Sequence, residues 1–146
     1  MPAHANVVVL VEDNEDHAEL MKRILSEQQI ALKLIHLTDG QAALDYLLRH
    51  RPYTDPVQNP RPDLLLLDLR LPKVDGLEIV KIIKESKTLR SIPVVILTSS
   101  GTQRDINRAY ENYVNSYLVK PVGFEEFTNL LERLRLYWLD CNISAS

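Results

Sequence analysis

Five times along this chain a short, almost unbroken apolar run appears: Val7 to Val11, Leu32 to Leu37, Leu64 to Leu67, Val94 to Leu97 and Tyr117 to Val119. A strand with one face in water alternates apolar and polar residues, so runs of this kind belong to strands covered on both faces. The stretches between them carry the helical period instead. Apolar residues return every three or four positions at Ala18, Met21, Ile24 and Leu25, at Ala42, Ala43, Leu47 and Leu48, at Leu77, Val80 and Ile83, and at Phe127, Leu130, Leu131, Leu134 and Trp138. The segment from Gln103 to Tyr113 is poorer, offering only Ile106, Ala109, Tyr110 and Tyr113 as one face, so its helix is expected to be the least firmly packed and a candidate moving part. Strand and helix alternating five times through short links predict an α/β fold, a doubly wound five-stranded parallel sheet between two helical layers.

Length and charge narrow the class. At 146 residues and 45% hydrophobic content the chain is expected to form a single domain over residues 1–146 with no room for a second. The net charge of −3, with Lys and Arg scattered, excludes a nucleic-acid groove and an anionic membrane surface. No apolar run is long enough to span a bilayer, because Glu12 and Asp13 cut off the first one. The single cysteine, Cys141, has no internal partner and suits a reducing cytoplasm. One connection is unusual: 50–63 holds Pro52, Pro56, Pro60 and Pro62, four of the eight prolines, and reads as an ordered insertion.

Chemistry collects where the strands end. In an open α/β sheet, ligands bind beyond the carboxyl ends of the strands. Asp68 leaves the apolar run Leu64 to Leu67 there and enters the turn Asp68-Leu69-Arg70-Leu71-Pro72-Lys73-Val74-Asp75-Gly76. Strand one delivers Glu12 and Asp13 to the same edge. Three carboxylates brought together repel one another, which calls for a cation, and an all-oxygen set without His or Cys selects a hard divalent ion such as Mg²⁺. Glu15 and Asp16 fit better as first-turn acids of helix one. Strand five ends in Lys120-Pro121, putting an ammonium opposite the acids, and Pro121 permits a cis peptide that would bend the loop inward. Strand four ends at Thr98, whose hydroxyl could donate to a phosphoryl oxygen. Metal-holding acids, an acyl nucleophile, a hydroxyl and a lysine are the parts that phosphoryl transfer onto a carboxylate needs.

On these residues, from about Val7 to Tyr137, the chain resembles the receiver domains of two-component response regulators, which have a flavodoxin-like (βα)5 fold. The resemblance implies that Asp68 is the phosphoacceptor, that Glu12, Asp13, Asp68 and the backbone carbonyl of Arg70 surround Mg²⁺, and that Lys120 and Thr98 engage the phosphoryl group. It also implies that Thr98 and Tyr117 form the switch, moving the surface of helix four, strand five and helix five on phosphorylation. By residue type alone, Tyr117 fits a half-buried aromatic at a strand edge equally well. Arg70 stands two residues beyond Asp68, where it either overhangs the phosphoryl group and tunes its lifetime or is an ordinary solvated arginine.

The insertion and the ending Arg135-Leu136-Tyr137-Trp138-Leu139-Asp140 resemble the single-domain regulators paired with phytochrome kinases, which implies a sensor histidine kinase of the bacteriophytochrome kind as partner, and no effector domain. Leu134, Tyr137 and Trp138 are expected either to form an exposed apolar patch covered in a homodimer or to finish the monomer core as the last turn of helix five. Three other readings compete. An Asp-nucleophile phosphohydrolase of the haloacid dehalogenase type wants a second acid two residues after the nucleophile, where this chain has Arg70. A nucleotide- or flavin-binding module wants a Gly-rich loop after strand one, where Glu12-Asp13-Asn14-Glu15-Asp16 would repel phosphate. A receiver-like interaction module that is never phosphorylated has no residue in its favour.

Overall fold

The computed structural model describes residues 6–27 and 32–143. Strands β1 (Asn6–Val11), β2 (Leu32–Leu37), β3 (Leu64–Leu67), β4 (Val94–Thr98) and β5 (Ser116–Val119) form one sheet in the order β2-β1-β3-β4-β5. Every neighbouring pair is parallel, with β1 and β3 in the register Val8↔Leu64 to Val11↔Leu67. The helices are α1 (Glu15–Leu25), α2 (Gly40–Leu47), α3 (Gly76–Glu85), α4 (Gln103–Glu111) and α5 (Phe124–Arg135). This is the doubly wound, flavodoxin-like sandwich that the apolar runs predict.

Those runs are unbroken because consecutive side chains enter different cores. Val9, Val11, Leu65, Leu67 and Ile96 face α2 and α3, while Val8, Leu10, Leu64, Leu66 and Leu97 face α1 and α5. A residue pointing either way meets a helix, so between Asn6 at the start of β1 and Thr98 at the end of β4 the central strands carry only apolar side chains. The order reverses at β1, with β2 on one side and β3 on the other, and so opens a crevice at the carboxyl ends of β1 and β3. Among the described residues no helix is long and apolar enough to cross a membrane.

Four expectations need correcting or completing. α4 buries only Asp105 and Ala109, while Tyr110 and Tyr113 face solvent, so its inner face is not the tyrosine face that the spacing suggested. Leu134 is no part of an exposed patch: it is 4% exposed and packs in the core beneath α1 and α5. Its helix ends at Arg135 and continues as a π-helical turn over Leu136–Cys141, which leaves Tyr137 58% exposed and Trp138 half-buried against the same core. Among the described residues the one cis peptide bond joins Arg51 to Pro52, so the Lys120–Pro121 bond is trans. The insertion containing that cis bond is fastened to α2, where the Tyr46 hydroxyl donates to the Pro60 carbonyl at 2.6 Å and the ring meets Tyr53 at 5.3 Å.

Candidate functional site

Backbone pairing places the acids. The Glu12 N–H continues the β1 ladder onto the Leu37 carbonyl at 3.0 Å, and the Asp68 N–H continues that of β3 onto the Val11 carbonyl at 3.2 Å. Both residues are therefore aligned as strand while sitting one step past the apolar run. His36 donates its Nε2 hydrogen to the Glu12 carbonyl at 2.8 Å, and the Asn14 N–H donates to Glu12 Oε2 at 3.1 Å. After Asp68 the chain must double back at once, and Gly76 permits it. A β-carbon there would lie 2.3 Å from the Asp68 carbonyl oxygen, while the Gly76 N–H closes the turn onto the Leu69 carbonyl at 2.8 Å.

Lys120 sits at the centre. Its buried ammonium donates to Glu12 Oε1 at 2.5 Å, to Asp68 Oδ2 at 3.1 Å and to His17 Nδ1 at 3.1 Å, which uses all three of its hydrogens. Burial pushes the Glu12 carboxyl above its ordinary range, and the hydrogen bond from Lys120 opposes that rise. The second Asp68 oxygen accepts the Arg70 N–H at 3.3 Å. One ligand oxygen from each of Glu12, Asp13 and Asp68 falls within 4.8 Å of the others, with Asp13 exposed at the open side. Three carboxylates and no nitrogen or sulfur donor suit a hard divalent cation. With a single lysine set against three acids, such an ion would find net negative charge.

Thr98 closes the far wall. It is buried at the end of β4, where its carbonyl accepts the Lys120 N–H at 2.7 Å and its hydroxyl accepts the Ser100 N–H at 3.4 Å. Half-buried Tyr117 reaches the same loop, donating its hydroxyl to the Ser100 carbonyl at 2.7 Å. Glu12, Asp13, Asp68, Lys120 and Thr98 thus share one edge of the sheet. Leu134, Tyr137 and Trp138 do not belong to it. They line a separate groove of about 530 Å³ with Ser116, Leu118 and Leu130, at the opposite end of β5 from Lys120.

Two residues that sequence reasoning passed over touch the machinery. His17 supplies the third acceptor for Lys120 from the first turn of α1, where Asn14 caps the helix and Phe127 meets the ring edge-on at 5.4 Å. Asp105 receives the Arg70 guanidinium at 2.5 Å and the Ser100 hydroxyl at 2.5 Å. Neither contact has a sequence signal, since the partners stand 103 and 35 positions away.

Comparison with known proteins agrees with this arrangement. Residues 8–132 match the family described as the response regulator receiver domain. The chain is 46% identical over 138 residues to the probable methanogenesis regulatory protein FilR2 of Methanothrix harundinacea, covering 94% of this chain and 86% of that one. The Mn²⁺-bound form of response regulator Rcp1 superimposes with a TM-score of 0.92 at 36% identity, over 97% of this chain and 99% of that one. The phosphorylated cyanobacterial phytochrome response regulator RcpA gives a TM-score of 0.93 at 33% identity, over 98% of this chain and the whole of that one. Receiver domains are the components of two-component signalling that histidine kinases phosphorylate, and they bind Mg²⁺ at an acidic pocket. The matched span runs from within β1 through the other four strands, takes in every residue at their carboxyl ends described above, and this chain belongs to the response regulator receiver domains.

Proposed function

We propose that Asp68 accepts a phosphoryl group from the phosphohistidine of a sensor kinase, in the presence of Mg²⁺. The observation that carries this reading is the buried ammonium of Lys120 between Glu12 and Asp68, with the carboxylates of Glu12, Asp13 and Asp68 gathered around one point. An oxygen of the ionised Asp68 attacks phosphorus in line as the bond to the kinase imidazole breaks. Lys120 already touches the attacking carboxylate and is placed to follow charge onto a phosphoryl oxygen, and Thr98 offers a hydroxyl to another. Asp13, Asp68 and the backbone carbonyl of Arg70 would hold the metal, together with Glu12, whose two oxygens are already engaged by Lys120 and Asn14. Bound there, Mg²⁺ neutralises phosphoryl charge. The protein catalyses only its own phosphorylation and dephosphorylation.

The switch is Thr98 with Tyr117, read out on α4, β5 and α5. A kinase of the phytochrome type is the partner best supported, given the likeness to RcpA. Tyr137 and Trp138 pair with a second copy, since an exposed tyrosine packed edge-on against a half-buried tryptophan beside an open groove is the composition of an interface core. The free Cys141 fits a cytoplasmic setting. Incubation with acetyl phosphate and Mg²⁺, followed by intact-mass measurement, tests the acceptor. The wild type should gain one phosphoryl group and Asp68→Asn none. No gain, or a gain that survives the substitution, overturns the reading.

A further inference from the structure

Phosphoacceptor chemistry leaves one buried acid beside the site unused. Asp105 lies in the first turn of α4, its side chain 5% exposed, and it is one of only two residues that α4 buries. Its carboxylate takes the Arg70 guanidinium at 2.5 Å and the Ser100 hydroxyl at 2.5 Å, and its own N–H goes to the Thr102 hydroxyl at 3.2 Å. Arg70 belongs to the acceptor turn, and its N–H rests on Asp68. Ser100 stands two residues past Thr98, and its carbonyl holds the Tyr117 hydroxyl. One carboxylate therefore joins α4, the turn that carries Asp68, the loop that carries Thr98 and, through Ser100, strand β5.

We propose that Asp105 is a positioning residue: it seats α4 by holding Arg70 away from the acceptor, and a phosphoryl group on Asp68 takes Arg70 from it. The proposal rests on Asp68 being the acceptor. A phosphoryl group brings roughly 1.5 to 2 negative charges, against one on Asp105, and three acceptor oxygens matched to the guanidinium fork. Arg70 is free to move between the two, because its side chain is 61% exposed and its other acidic partner, Asp75, is 3.9 Å away. Once Arg70 leaves, Asp105 is a buried carboxylate that has lost its direct ion pair and keeps only the weaker, more distant charge of Arg108, close to new negative charge. If Thr98 closes on the phosphoryl group, it draws Ser100 along and loosens the second tie. A helix that buries only one apolar residue has little else to seat it.

Hydrogen exchange of the α4 amides reads this directly. In unphosphorylated protein, Asp105→Asn and Arg70→Ala should each speed exchange of the first turn of α4 by roughly five- to tenfold. The double variant should go no further than either single one, and Arg70→Lys should recover part of the protection. Phosphorylation should raise the same amides in the wild type and add nothing in Asp105→Asn. An α4 that does not respond to Arg70→Ala leaves Asp105 as merely a helix N-terminal acid and overturns the proposal. So do additive effects in the double variant, or a full phosphorylation response in Asp105→Asn. Intact mass, followed alongside, separates the two claims. No phosphoryl gain on the wild type overturns the acceptor and with it the trigger, whereas a normal gain with any of those exchange results overturns the role of Asp105 alone.

Discussion

Lys120 is the residue on which the site balances. Its hydrogen bonds to Glu12 and Asp68 let two carboxylates sit buried side by side. Lys120→Met should therefore lower stability by about 3–5 kcal/mol at neutral pH, the cost of leaving buried charge unpaired. Mg²⁺ should then raise the melting temperature of the variant more than that of the wild type, because the ion restores the missing positive charge; equal shifts would mean that no ion enters this cluster. Gly76 acts through shape. Ala at this position would drive a β-carbon into the Asp68 carbonyl and Leu69 Cα, at 2.3 and 2.7 Å. Gly76→Ala should cost about 2–3 kcal/mol in urea denaturation and slow phosphorylation, since relief must come from moving the acceptor itself. Asp68, Glu12, Asp13, Thr98 and Lys120 were legible in the sequence because each follows an apolar run whose strand fixes where it emerges. His17 and Asp105 were not, because nothing local marks a side chain whose partner arrives from another loop.

At the scale of elements, legibility followed burial. Strands covered on both faces announce themselves, and so do α1, α3 and α5, whose apolar stripes meet the sheet. α4 misleads because tyrosine tolerates water and because Asp105 is buried by charge pairing rather than by hydrophobicity. The insertion offers a test of how such segments are held. Burial pushes the Tyr46 phenol from its ordinary 10.0 up to about 12 while its hydroxyl holds the Pro60 carbonyl. Below pH 10 both folded and unfolded chains keep that proton. Between pH 10 and 12 only the unfolded chain gives it up, so the stability contributed by this group is lost as pH rises through that window. Tyr46→Phe should lower stability by about 1 kcal/mol at neutral pH and flatten the alkaline loss in denaturant titrations. An unchanged alkaline slope would show that the phenol does not govern it.

For the whole molecule, the sheet order puts the proposed acceptor site and the proposed association surface at opposite ends of β5: Lys120 follows its carboxyl end, and the groove beside Tyr137 begins at Ser116. Substitution in the groove should then disturb pairing without touching the acceptor. Tyr137→Ala, at an exposed position, should move the sedimentation coefficient toward that of a monomer while leaving phosphoryl uptake intact. Trp138→Ala should do the same at some cost in stability, because its ring is half-buried. A coefficient that stays constant across concentration and variants would rule out the dimer. By itself the sequence determined the α/β class, the five strands and the acids, hydroxyl and lysine at their ends, since unbroken apolar runs, turn residues and chain direction are local properties. Only the tertiary structure decided that Leu134 belongs to the core, that Tyr137 is left outside it, and that Arg70, though largely exposed, pairs with Asp105. Those outcomes depend on which distant surfaces compete for a side chain, and that competition is settled when the helices pack.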